Sequence, residues 1–424
     1  MSNCFLGDWG FYHKRKPLGS RKLLRLAYSF NPEKKANVTV AFLTANYFNN
    51  KISEGHKVLS DRIIDVARRS TDWNVYICSL EKPIEAERDL PYQEITPSLW
   101  EWFSSSIRII SFLNSTDIDL IHILAYNKVF PTLLDLITHD GRKSHKKVVH
   151  LYYHPNAFKD PKYKPIELLI RTKIFDMVLT TSNTLKDFLL KKLALSDEVI
   201  RVIPPIVPQE FFEFDYWSSR KLTPKLRRIY GLTESDFVIS YIGHVIPQRG
   251  VFELLKAFKE ASKLNPYLKL IISYPNIIFK DLSLDYLTIL RRIVEKYALK
   301  EKVLIIGKQD LSKLYTISDI LFFGFRDSFY FTYPPLVVCE AMAAGMPFII
   351  KNSSLIAELF GNEIPVPVYQ HVNELVDILC EIMSDRQVLL RISRKVKDIA
   401  RKFFSPESAI IKLNNAYLYV LSYK

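Results

Sequence analysis

The chain has 424 residues, with 59 Lys and Arg against 45 Asp and Glu, for a formal net charge of +14. That length favours two domains of ordinary size, and an apolar fraction of 48% with 12 glycines excludes a disordered or low-complexity protein. The charge favours anionic partners such as nucleic acid, phosphorylated substrates or an acidic membrane surface, with a lysine-rich solvated surface as the plain alternative.

The cysteines, Cys4, Cys78, Cys339 and Cys380, are scattered and form no CxxC pair. They suggest neither a zinc site nor a disulfide framework, and fit a reducing cytoplasm. Met1 to Lys16 lacks the apolar core of a signal peptide. Residues 1–36 form a basic, aromatic leader containing Lys14-Arg15-Lys16 and Arg21-Lys22. A surface extension is expected there, with an amphipathic membrane-contacting segment around Arg21 to Phe30 as the other option.

Asn37 to Thr44 reads as a buried strand, rich in β-branched residues. A polar loop ends at Glu54-Gly55-His56, and Leu59, Ile63 and Val66 then recur at helical spacing. Asn74 to Cys78 is the next strand, which makes a βαβ beginning with Gly55 at the helix entrance. A glycine there allows an anion to approach the helix amides, although loop geometry alone also explains it. Strand-like runs recur at Leu120 to Leu124, Lys147 to His154, Met177 to Ser182 and Val199 to Pro205, with a helix over Ile166 to Phe175. This alternation predicts a parallel sheet covered on both faces.

Pro204-Pro205, Pro208 and the run from Glu210 to Trp217 read as an inter-domain connection. The alternation then restarts. Strands are expected at Val238 to Gly243, Leu268 to Ser273, Val303 to Ile306 and Ile320 to Phe323, and helices at Phe252 to Ala261, Leu284 to Tyr297 and Leu311 to Ile317. Thr332 to Pro347 reads as a loop, a short helix opening at Pro335, and a stop at Gly345 and Pro347. Two prolines, Glu340 and the Gly345-Met346-Pro347 stop argue against a membrane span over Tyr333 to Ile350. Phe348-Ile349-Ile350 is the strand after it, and Val372 to Tyr423 is a helical tail. Two successive doubly wound halves place the default ligand site in a cleft at the carboxyl ends of their strands.

Glu340 is a lone carboxylate in an apolar helix, so it must face solvent or find a partner. Gly243 to Gly250 joins a strand to a helix and brings His244 and Arg249 to its rim. An arginine fork beside a helix start suits a diphosphate, and a plain turn with a surface arginine is the simpler reading. His154 ends a strand and suits hydrogen bonding or proton handling, or a structural role. His122 and His150 lie inside apolar strands and read as core residues. Asp117-Ile118-Asp119 has metal–nucleotide spacing but precedes a strand, so a strand-entry turn is expected. There is no GxGxxG, GxxxxGK, GxSxG or HExxH.

Together these residues resemble the retaining glycosyltransferases of family 4. The resemblance rests on Glu54-Gly55-His56, Tyr153-His154, Val202-Ile203-Pro204, Gly243-His244 with Arg249-Gly250, Glu340 to Pro347, and Ala357-Glu358. It implies the α/β GT-B architecture: two Rossmann-like domains facing a central cleft. The expected division is a leader at 1–36, an acceptor-side domain at 37–208, a donor-side domain at 209–400, and a helix at 401–424 packing back on the first domain. The implied reaction is hexose transfer from a nucleotide-sugar donor with retention, without a metal or other cofactor. His154 and Arg249 would be catalytic. Gly55, Gly243, His244, Arg249, Thr332, Leu336, Val337 and Glu340 would bind the donor, with Glu340 on the ribose and Arg249 on the diphosphate.

The acceptor would be a glycan, lipid-linked or on protein, with the leader and Arg142 to Lys164 available to an acidic membrane surface. A cytoplasmic location, peripheral on the inner face of a membrane, goes with that reading. Thr332 stands where the family has an acid, Pro334 and Pro335 replace residues with amide donors, and Pro205-Ile206 replaces Asn-Gly. His244 replaces an arginine, so its charge is expected to follow pH. A degenerate GT-B protein that binds without catalysis is therefore the rival. A nucleic-acid binder rests on charge alone, without a recognition motif.

Overall fold

The computed structural model describes residues 27–29, 38–44, 55–70, 73–79, 109–124, 145–216, 223–275, 283–326 and 332–422. Residues 1–26 and 30–36 of the leader, Asn37, Glu54, and 142–144 of the acceptor segment lie outside the described residues.

The first half is built on a seven-stranded sheet. Its strands are β1 (Ala27–Ser29), β2 (Val38–Thr44), β3 (Trp73–Ser79), β4 (Leu120–Leu124), β5 (Lys146–Leu151), β6 (Met177–Thr180) and β7 (Ile200–Val202). The order is β1-β3-β2-β4-β5-β6-β7. All neighbours are parallel except β1, which pairs antiparallel with β3. Within the leader, Ala27–Ser29 forms the sheet's antiparallel edge strand. Helices α1 (Gly55–Arg69), α2 (Lys164–Arg171) and α3 (Asn183–Leu193) belong to this half.

The segment after β7 carries α4 (Gln209–Glu213), and α5 (Thr223–Ile229) leads into the second half. There a six-stranded sheet has the order β10-β9-β8-β11-β12-β13. Its strands are β8 (Phe237–Ile242), β9 (Leu268–Ser273), β10 (Val303–Ile306), β11 (Ile320–Phe323), β12 (Phe348–Lys351) and β13 (Val368–Tyr369), all parallel. The helices are α6 (Val251–Leu264), α7 (Ser283–Lys296), α8 (Leu311–Ile317), α9 (Leu336–Ala343), α10 (Ser354–Phe360), α11 (Val372–Ser384), α12 (Arg386–Phe404) and α13 (Pro406–Ser422). The expected two-sheet α/β architecture is present. Its central strands read as unbroken apolar runs because helices cover both faces; β4, β6 and β11 are buried along their whole length.

One side-chain device pins the register of both sheets. The Asp119 carboxylate accepts the Thr39 amide at 2.7 Å, and its own amide returns a bond to the Thr39 carbonyl at 3.0 Å. Asp176 does the same with Lys147, at 2.7 and 2.8 Å. Asp319 does so with Val238, at 2.8 Å in both directions. Each aspartate sits just ahead of a strand and completes a ladder that the backbone alone leaves open. The Asp117-Ile118-Asp119 run is thus the strand-entry turn expected. Asp319 is fully buried and also pairs with Arg227 at 2.7 Å.

Two expected strands are shorter than their apolar runs. β5 stops at Leu151 because Tyr153 pairs instead with Thr332 of the second half. β7 stops at Val202, ahead of Pro204 and Pro205, which have no amide to give a ladder.

Helix α13 returns to the first half. Ala409, Leu413, Ala416, Tyr417 and Val420 join a core cluster with Val40, Phe42, Leu59 and Ile63. Trp73 donates its indole N–H to Asn414 at 3.3 Å, and His122 Nδ1 meets the Tyr417 hydroxyl at 2.6 Å. His122 and His150 stack at 5.5 Å, fully buried, as core residues. Burial pushes the His150 pKa down to about 3, partly offset by the nearby Ile203 backbone. Among the described residues no helix is long and apolar enough to cross a membrane.

Replacing Asp319 with Ala strands Arg227 and unpins β8. It should cost about 3–5 kcal/mol in a urea unfolding titration, whereas Asp119→Ala, at an exposed ladder end, should cost less. His150 is neutral when folded but protonates near its ordinary value once unfolded. Its stabilising contribution is complete above about pH 6.5 and falls away as pH drops toward 3. The loss of stability between pH 7 and 4 should therefore be shallower in His150→Phe, measured by the same titration.

Candidate active site

The carboxyl ends of the two sheets face each other, and the segment from Thr332 to Tyr333 is where they touch. Tyr153 and Thr332 form an antiparallel bridge, and the Tyr333 amide donates to the Tyr152 carbonyl at 2.9 Å. The Thr181 hydroxyl donates to the Tyr333 carbonyl at 2.5 Å. These bonds carry β5 and β6 of the first half onto the loop that starts α9.

His154 stands on this junction. It is buried, and its ring lies edge-on against Tyr333 with centroids 4.8 Å apart. Its Nδ1 accepts the Asn156 amide at 3.2 Å, capping a short 3-10 turn over Pro155–Lys159. A neutral ring accepting at Nδ1 carries its proton on Nε2, so that edge is a donor. Thr332 is also buried, and its hydroxyl bonds to none of the described residues.

Across the junction, β8 runs into Gly243 and a 3-10 turn over Pro247–Arg249, and α6 follows. Arg249 folds back over this loop. Its guanidinium lies 5.5 Å from the Phe325 ring centroid, and a Cβ on Gly243 would overlap one of its terminal nitrogens, so only glycine leaves it room. Burial lowers the Arg249 pKa from its ordinary value without threatening its charge. Gly250 has a positive φ of 74° and begins α6 with no side-chain cap. Its backbone packs on Gly324 at the end of β11, where a Cβ on Gly250 would stand 2.7 Å from the Gly324 α-carbon. The amides at the start of α6 are thus left for another acceptor.

His244 is half-buried. Burial first, then the Arg249 charge, lowers its pKa to about 4. The charge of this imidazole therefore follows pH in the acid range, around 4, rather than near neutrality. Arg249 is the cation of this loop. Glu253, one turn into α6, is met by Arg326, by Lys351 at 3.0 Å and by the Tyr369 hydroxyl at 3.1 Å. Burial pushes its pKa up, but the two cations outweigh that and hold it below the usual carboxylate range.

Helix α9 starts one residue later than expected, with Pro335 as N-cap and Leu336 first. It ends with Gly345 at a positive φ of 69°. The amides of Leu336 and Val337 lie in its first turn and have no partner within the helix. The Leu336 side chain joins the core cluster of the first half. Glu340 does not face solvent. It is 7% exposed and paired with Arg62, on α1 of the opposite half. Arg62 also donates to the Ile206 carbonyl at 3.0 Å. Eighteen residues on, Glu358 crosses in the other direction. Its carboxylate accepts the amides of Asn183 and Thr184 at 2.9 and 2.8 Å, at the start of α3.

The sequence of residues 223–402 matches the family model described as Glycosyl transferases group 1. Sucrose-phosphate synthase from Thermosynechococcus elongatus aligns with a TM-score of 0.69 at 14% identity, covering 91% of this chain and all, 100%, of that one. HepE from Anabaena, solved with UDP-glucose, aligns with a TM-score of 0.67 at 16% identity, covering 91% of this chain and 99% of that one. A glycosyltransferase from Rickettsia africae aligns at 0.66 with 16% identity, covering 92% and 100%. The fold is that of the GT-B glycosyltransferases. None of the curated proteins matches the sequence.

On this GT-B frame the candidate residues form three groups. His154, Thr332 and Tyr333 are together on the junction. Gly243, His244, Arg249 and Gly250 share one loop. Leu336, Val337 and Glu340 lie along one helix, and Gly55 opens α1, which carries Arg62. Among the described residues no three His, Cys, Asp or Glu side chains gather as a metal site. Arg62, Gly324, Phe325 and Tyr333 were not legible as site residues. Gly324, ending a strand in a glycine-poor chain, carried a signal. Arg62 carried none, because a basic residue on a surface-patterned helix is ordinary. Gly250→Ala must both adopt a positive φ and push Gly324 away. It should destabilise the protein by about 1–3 kcal/mol, while Gly231→Ala, with open space around it, should cost less; chemical denaturation of both checks this.

Proposed function

We propose that the chain is a retaining family 4 glycosyltransferase that moves a hexose from a nucleotide sugar to an acceptor oxygen. The observation that carries this is the loop at the end of β8. There Arg249 lies folded on Gly243 beside the uncapped start of α6, inside the matched family region. A planar cation over a glycine, next to free helix amides, suits a diphosphate. The first-turn amides of α9 add a second positive helix end for the same group.

In this reading Glu340 accepts from the donor ribose, and Thr332 and the Nε2 edge of His154 hydrogen-bond the hexose. The bond from the anomeric carbon to the diphosphate oxygen breaks, and the acceptor oxygen bonds to that carbon on the same face. The acceptor proton passes to the departing diphosphate. Arg249 and the helix ends stabilise the charge that develops there. As in the family this chain resembles, the transfer is read as metal-independent. The acceptor enters from the first half as a glycan, lipid-linked or on protein, and the enzyme works in the cytoplasm against an acidic membrane surface. Two observations favour the rival, binding without catalysis: Thr332 cannot supply a charge, and Glu340 is already paired.

A thermal-shift panel of nucleotide sugars tests the reading. A donor at a hundred times its Kd should add about 2.7 kcal/mol of stability. Arg249→Ala and Glu340→Ala should each weaken its binding by about 1–3 kcal/mol. An unmoved melting temperature with every nucleotide sugar would remove the assignment. Donor hydrolysis or transfer that disappears in His154→Ala decides for catalysis; a bound donor that is never turned over decides for the rival.

A further inference from the structure

Glu340 is bonded by its Oε1 to Nη2 of Arg62, and Nη1 of Arg62 is bonded to the Ile206 carbonyl. One guanidinium thus holds three pieces together: helix α1, the connection between the halves, and the middle of α9. Both side chains are nearly buried, at 13% exposure for Arg62 and 9% for Glu340. Among the described residues, Oε1 is engaged and Oε2 receives no bond. A carboxylate offers about four lone-pair positions, so an engaged Oε1 leaves Oε2 able to accept from a second donor.

We propose that Arg62 is a positioning residue for the nucleotide: it fixes Glu340 so that Oε2 is presented to a ribose hydroxyl. The inference rests on the glycosyltransferase reading above. A glutamate on an apolar helix has flexible χ angles and a strong preference for water. An arginine on one oxygen removes that freedom and gives the carboxylate an opposite charge in the cleft wall. Because Arg62 belongs to the first half and Glu340 to the second, the geometry that receives the ribose exists only when the halves are together. Nucleotide binding and closure of the cleft then favour each other, by reciprocity of coupled equilibria.

UDP and dUDP, which lacks the 2′-hydroxyl, are the probes, with the ADP and GDP pairs run in parallel on the full chain by isothermal titration. The wild type should bind the ribose form of its nucleotide about tenfold or more tighter than the deoxy form. Arg62→Met should shrink that ratio to about twofold and weaken the ribose form; Arg62→Lys should fall between. A merely structural arginine would leave the ratio alone, since both probes share base and diphosphate. The inference is overturned by an unchanged ratio in Arg62→Met, by tighter nucleotide binding in that variant, or by a wild type that treats the two forms alike. If Arg62→Met does not fold, the ratio in Arg62→Lys decides in the same way. No binding of any diphosphate by the wild type sinks the glycosyltransferase reading together with the inference. Wild-type binding with an unmoved ratio in the variants sinks the inference alone.

Discussion

A carboxylate buried in the middle of an apolar helix must find a positive partner or lose its charge. In this chain the partner of Glu340 comes from the opposite half of the molecule. That requirement organises the cleft. Arg62 reaches Glu340 from α1 and also holds the Ile206 carbonyl in the connection, so the pair fixes both walls and the segment that joins them. Glu358 repeats the arrangement with its charge pointing the other way, onto the amides that open α3. Besides these two carboxylate contacts, the Tyr153–Thr332 bridge and the bond from the Thr181 hydroxyl to the Tyr333 carbonyl join the halves.

The electrostatics on the other side of the cleft are simpler than the count of basic residues suggests. Despite a net charge of +14, the loop at the end of β8 offers one cation, Arg249. Its neighbour His244 is kept neutral by burial and by Arg249 itself. Arg326 and Lys351 are occupied with Glu253. On the proposed reading, a diphosphate entering here meets a guanidinium and helix ends, a directional arrangement less exposed to screening by salt than a diffuse basic patch.

The glycines of the site show how little tolerance this geometry has. Gly243 leaves room for the Arg249 guanidinium where a Cβ would stand, and Gly250 and Gly324 allow two strand-end loops to touch. The shared backbone contact ties the start of α6 to the end of β11.

Much of this was legible in the sequence. The alternation of apolar runs and 3.6-residue patterns fixes two doubly wound halves. Proline and glycine punctuation fixes α9 to within one residue, and the aspartate before a strand announces its turn. These are local matters, decided by backbone sterics and by burial of nearby residues. Tertiary structure alone decided the partners. Nothing near Glu340 names Arg62, 278 positions away, nor does anything near Glu358 name α3. The end of β5 at Leu151 follows from a bridge to Thr332 that no local pattern contains. The neutrality of His244 depends on burial beside Arg249, which a list of residues does not disclose. Sequence determined which chemical groups stand at the rim of the cleft. Folding decided which of them are already engaged, because pairing depends on distance through space and on exclusion of water.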